Sequence, residues 1–122
     1  KHMIFPMKAI GEGRLSPEDL KTDRKNCIHY EETGLGKKAL FLHFLGIGRM
    51  AYIPLSSIDR VYKRLCVSKG FFEEGKIYGS LSYLVICFEG REKAFRFLRE
   101  ENLDALLDAF RVKTDIPVGK KN

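Results

Sequence analysis

Cys27 and His29 lie two residues apart, a spacing that on a strand sends both side chains to one face, where a thiol and an imidazole could act as nucleophile and base or share a metal ion. A zinc site needs further ligands at short spacing, and no second Cys-x-His or Cys-x-x-Cys unit supplies them. Both residues are therefore assigned to the interior, and no metal or cofactor is expected. His43 falls within an apolar run and reads as an interior or cross-strand histidine. The turns Gly34-x-Gly36-Lys37 and Gly46-x-Gly48-Arg49 look like phosphate loops, but neither opens onto a helix whose N-terminus could hold the phosphate, so both read as hairpin turns. The acidic pairs Glu31-Glu32, Glu73-Glu74 and Glu100-Glu101 are adjacent in sequence, and strand neighbours point oppositely, so they do not form a general acid and base. No catalytic residue is assigned.

Recognition chemistry has better candidates. Arg60, Tyr62 and Arg64 alternate onto one strand face, with Arg96 expected to join them from a neighbouring strand. Arginine offers a planar fork for oxyanions, and tyrosine an apolar body with a polar tip. Phe71-Phe72, between Lys69 and Lys76, falls where a hairpin connection is expected and could present a bulky apolar pair to a partner or a membrane surface.

The elements that must position these residues read mainly as strands. An apolar start at Ile4 to Ile10 counts as a first strand, and Ser16-Pro17-Glu18-Asp19 has the signature of a helix opening, although the stretch after it is too short for a long helix. Strands are expected over Cys27 to Glu32, Ala39 to Leu45 and Met50 to Leu55, with turns at Thr33 to Lys38 and Gly46 to Arg49, giving an antiparallel meander. Leu40, Leu42 and Phe44 share one face and Phe41, His43 and Leu45 the other, so both faces of that strand should be buried. From Ile58 to Val67 the alternation sets Val61, Leu65 and Val67 against a wet face of Arg60, Tyr62 and Arg64. Ile77 to Phe88 and Lys93 to Leu98 come next as strands around a turn at Gly90. Leu103, Leu106, Leu107 and Phe110 then form one helical stripe, with Asn102 as its expected N-cap.

Length and composition bound the rest. The 122 residues suit one domain, expected over 4–113, with 1–3 as a vector remnant and start and 114–122 as a basic flexible tail. Hydrophobic residues make up 44% of the chain, with nine Phe and five Tyr, which is enough to build a core without metal or disulfide staples. The three widely spaced cysteines, Cys27, Cys66 and Cys87, read as reduced thiols in a cytosolic interior. No run approaches the roughly 18 apolar residues that span a bilayer. The net charge of +6 favours acidic partners in general.

Seven strands followed by one helix would make a mostly β fold, a partly open antiparallel barrel or sandwich capped by the helix. In that order of elements, in Leu20-Lys21-Thr22-Asp23-Arg24 and above all in Ile53-Pro54-Leu55-Ser56-Ser57-Ile58-Asp59-Arg60-Val61, the chain resembles bacterial pleckstrin-homology-like and GRAM-type domains over most of Leu20 to Val112. The resemblance implies that residues 20–24 open a strand, that Ile53 to Val61 closes one strand and begins the next, and that Asn102 to Val112 caps the barrel. Cys27 to Glu32 lacks the basic-x-Arg triplet of lipid-recognising members, so specific inositol phosphate binding is not implied.

The expected function is a noncatalytic interaction module that presents a barrel surface to a protein partner or to a second copy of itself. The alternative is peripheral binding to anionic membrane through the basic residues and Phe71-Phe72. Nucleic acid is disfavoured as a partner, no small-molecule substrate is identified, and the expected location is the cytoplasm, extending to the inner face of the membrane.

Overall fold

In a computed structural model that describes residues 7–44, 49–69 and 77–120, Ser16 caps helix α1 (Pro17–Asn26) by accepting the Asp19 N–H on its Oγ at 3.1 Å. Pro17 occupies the first helical position, Glu18 and Asp19 lie at the positive end of the helix dipole, and Arg24 and Lys25 lie at the negative end. The capping signature thus yields a helix of 10 residues. It includes Leu20 to Arg24, the stretch the family resemblance assigned to the opening of a strand. The local helix signals outweigh that likeness.

The chain divides at Asp59 into two units. In the first, strands β1 (Lys8–Ala9), β2 (Ile28–Tyr30), β3 (Thr33–Leu35), β4 (Ala39–Phe44) and β5 (Arg49–Pro54) form a sheet in the order β1-β5-β4-β3-β2. β1 runs parallel to β5 and the remaining pairs are antiparallel, as the meander required. The expected single strand from Cys27 to Glu32 is instead a hairpin. Glu31, with φ of 59°, turns the chain so that Thr33–Leu35, expected as a turn, folds back onto Ile28–Tyr30. Alternation in β4 buries both faces as anticipated: Phe41 packs with Ala39 and Tyr52 beneath Leu15 and Leu20, while Leu40 and Leu42 on the opposite face are also buried. The second glycine turn falls largely on residues 45–48, outside the described residues.

The second unit is a three-stranded antiparallel sheet, β6 (Arg60–Lys69), β7 (Ile77–Phe88) and β8 (Arg91–Phe97), followed by helix α2 (Glu100–Lys113). Val61, Leu84, Ile86 and Phe97 are buried, and so is the expected helical stripe Leu103, Leu106, Leu107 and Phe110. Each such side chain contributes about 1.5–3 kcal/mol through burial. Helix α2 starts earlier than its sequence suggests: Arg99 is its N-cap, and Asn102, the expected cap, is already helical. Glu100 and Glu101 supply the favourable charge in the first turn that a capping side chain would otherwise reinforce.

The architecture is therefore mostly β with a helix after the last strand. The described residues hold eight strands split between sheets of five and three, not seven strands joined in one barrel. Within the stretch expected as a tail, Val118 pairs in parallel with Val61 on the outer edge of β6. Among the described residues, no helix is long and apolar enough to cross a membrane.

Candidate functional site

Among the described residues, β6 carries a cluster of polar contacts in the second unit. Tyr62 is buried rather than solvated, and its hydroxyl donates to Glu92 Oε2 on β8 at 2.8 Å, diagonally across β7. Arg64 donates from Nη2 to the Tyr62 hydroxyl at 2.8 Å and to Glu92 Oε1 at 3.1 Å, and its guanidinium lies 5.7 Å from the centre of the Tyr62 ring. Burial first, and then the bond to Glu92, push the Tyr62 phenol up from its ordinary value. The bonds from Tyr62 and then Arg64 hold the Glu92 carboxyl below the usual carboxylate range. On the face predicted to be wet, Tyr62 is buried, while Arg64 and Glu92 stay exposed and are bonded to it and to each other.

On the opposite side of β6, Lys63 reaches Glu100 Oε2 at 2.6 Å and Asp104 Oδ1 at 2.8 Å, fastening α2 to the sheet. These two bonds raise the Lys63 ammonium above its ordinary value, Asp104 contributing more than Glu100. A groove of about 480 Å³ runs along this junction. Tyr62 and Lys63 line it from β6, Leu107 and Arg111 from α2, and Val118 and Gly119 from the segment beyond α2. Tyr62 and Lys63 point to opposite faces of their strand, so the groove wraps its outer edge. Arg111 is itself paired with Asp108 at 2.7 Å.

Of the residues expected to bind a partner, Tyr62 and Arg64 are brought together, and Arg60 is drawn aside to donate from Nη1 to the Gly119 carbonyl at 2.7 Å. Arg96 is exposed on β8, in register with Tyr83, which itself opposes Arg64. Lys69 ends β6, and Phe71, Phe72 and Lys76 lie outside the described residues.

The first glycine turn does cradle an anion, but the anion is the protein's own. Asp23, buried on α1, accepts the N–H groups of Lys37, Lys38 and Ala39 at 2.7, 3.0 and 2.9 Å. A side chain at Gly36 would land on that carboxylate, which explains the glycine. A small cavity of about 200 Å³ beside it holds Lys37 and Lys38 against Asp19 and Asp23, and Lys38 pairs with Asp19 at 3.2 Å. Those lysines face carboxylates already in place.

Cys27 is the C-cap of α1, not a strand residue, and its Sγ lies 4.0 Å from both ring nitrogens of His29. Burial, followed by the Asp23 carboxylate, pushes its thiol up, the reverse of what activates a nucleophile. Among the described residues, no group of three or more His, Cys, Asp or Glu is placed to hold a metal ion. His43 Nδ1 sits 3.6 Å from Glu32, in the turn between β2 and β3. Cys27, Cys66 and Cys87 are all free thiols, but Cys66 is exposed and not interior.

Sequence reasoning missed Asp23, Lys63, Glu92 and Gly119. Only Gly119 carried a local signal, as a glycine two residues after Pro117. The chain matches no family model, no curated protein and no solved structure.

Proposed function

We propose that this chain is a noncatalytic interaction module of the pleckstrin-homology-like kind, which presents the groove along β6 and α2 to a protein partner or to a second copy of itself. The order of elements supports the fold part of this reading: four antiparallel strands from β2 to β5, three from β6 to β8, then a helix. The observation that carries the binding part is the groove itself. It sets apolar Leu107 and Val118 beside charges already paired, Lys63 with Asp104 and Arg111 with Asp108. The paired charges fix the walls, Lys120 adds an exposed cation, and apolar groups beside a polar rim are the usual anatomy of a protein contact.

The competing reading is an anionic membrane surface, favoured by Arg64 and Arg96, which are exposed on one face of the second sheet, and by the net charge of +6. Photo-cross-linking from position 111, on the groove, and from position 21, exposed on α1, separates the two. A discrete protein adduct from position 111 alone supports the protein module. Lipid adducts and flotation with anionic vesicles in its place support the membrane reading. Absence of adducts from either position defeats both. The expected cytoplasmic location stands or falls with the partner so identified.

A further inference from the structure

We infer that the outer edge of β6 is a binding site for an extended peptide, and that the chain's own Ile116–Lys120 occupies it in cis as a displaceable stand-in. The proposal rests on the interaction reading above and names the partner that the groove takes.

The Val61 N–H donates to the Pro117 carbonyl at 3.0 Å, and the Gly119 N–H donates to the Val61 carbonyl at 2.8 Å. These are the two bonds of a parallel ladder centred on the Val61 and Val118 pair. Pro117 suits its place, since only its carbonyl is needed there. The next bond of such a ladder would run from the Lys63 N–H to the carbonyl of residue 119. It does not form. Gly119 has φ of 120°, which turns the chain away from the strand, and its carbonyl takes the Arg60 guanidinium at 2.7 Å instead. The edge itself continues. Because the Val61 backbone groups face outward, those of Lys63 and Leu65 do so too, and among the described residues neither has a backbone partner on that side. The Leu65 side chain is 47% exposed there.

The cis segment therefore uses one residue's worth of an edge that offers three. It also shows what the edge accepts: a chain running parallel to β6, with proline or another residue whose N–H is dispensable, then a small apolar residue beside Leu107. A partner peptide with an ordinary extended residue in place of Gly119 would stay on the edge and add the bonds at Lys63 and Leu65. Strand addition to an exposed edge is a general mode of peptide capture. A tethered weak competitor sets a threshold for it through its high effective concentration.

The test uses the full chain and a labelled synthetic peptide with the sequence of residues 114–122. Gly119→Pro in the chain removes the donor to Val61 and forbids the observed φ, so the cis segment should leave the edge. The expected result is at least tenfold tighter peptide binding by G119P than by the unaltered chain. The same peptide carrying Gly119→Val should bind at least tenfold more tightly than its parent, and the peptide carrying Gly119→Pro should bind more weakly. Equal binding by both chains, or none by G119P, overturns the proposal. Should G119P not fold, hydrogen exchange on the unaltered chain decides: the Val61 and Gly119 amides must exchange well before those of Leu84 and Ile86, and exchange in step with them overturns it. Peptide binding without any cross-linked partner would remove the interaction reading and leave the edge site standing. A partner cross-linked at position 111 that the peptide does not displace would do the opposite.

Discussion

The carboxylate of Asp23 accepts the backbone N–H of Lys37 at 2.7 Å, and this contact between α1 and the turn before β4 holds the first unit together at its polar end. Helix α1 has little apolar face of its own. Leu20 packs on the Ala39, Phe41 and Tyr52 cluster, while Lys21, Thr22, Arg24 and Lys25 are exposed. A helix so poorly amphipathic is held by tertiary contacts, and a carboxylate bound by three amides is the strongest available to it.

Asp23→Asn keeps the size of the side chain but removes the charge and turns an amide against the N–H groups it must accept. The expected cost is about 2–3 kcal/mol, read as a lower midpoint in urea, with faster hydrogen exchange across α1. An unchanged midpoint would show that the turn finds other acceptors. Gly36→Ala should act in the same direction, because the added methyl displaces the carboxylate.

Lys63→Met removes the clamp between β6 and α2. The clamp is partly exposed, so the expected loss is about 1 kcal/mol, smaller in molar salt. Its pH dependence has a definite sign. The Lys63 ammonium is raised in the folded chain, so its contribution is complete below the ordinary lysine value of about 10.4 and fades as pH climbs through the raised one. The gap between the two chains in thermal midpoint should narrow in strong alkali.

Tyr62 should ionise above the ordinary tyrosine value when phenolate absorbance is followed with pH. Glu92→Gln should bring it only part of the way back, because burial is the larger cause and the bond to Glu92 the second. Glu92 works at the other end of the scale. With its carboxyl held low in the folded chain, its stabilising effect is present above the ordinary carboxylate range and disappears as pH falls through the lowered value. A full return of Tyr62 to an ordinary value in E92Q would mean that burial plays no part.

A thiol reagent applied to the native chain should label Cys66 before Cys27, as peptide mass mapping can show. Cys66 is exposed, whereas the Cys27 thiol is half-buried and pushed up by burial and by Asp23. Equal labelling rates would argue that α1 opens freely at its C-terminal end.

Much of the candidate site was illegible in sequence for a definite reason. The Arg60, Tyr62 and Arg64 alternation located a strand, but not the state of its side chains. Whether Tyr62 meets water or Glu92 depends on a residue 30 positions away. The same holds for Lys63, whose partners are 37 and 41 positions distant, and for Asp23, whose amides are 14 to 16 away. Local pattern carries no information at that range. The split of Cys27 to Glu32 into a hairpin failed differently: Glu31 is not a residue type that announces positive φ.

By itself the sequence determined the periodic elements. Alternation fixed β4 as a strand buried on both faces, the long apolar run fixed β7, and the spacing of Leu103, Leu106, Leu107 and Phe110 fixed the buried side of α2, since each depends only on neighbours a few residues apart. Tertiary structure alone decided how the eight strands of the described residues divide between two sheets, which charges are spent on one another, and that Val118 lies on Val61. Those outcomes depend on which distant groups come within hydrogen-bonding reach of each other, and that is set only when the chain has folded.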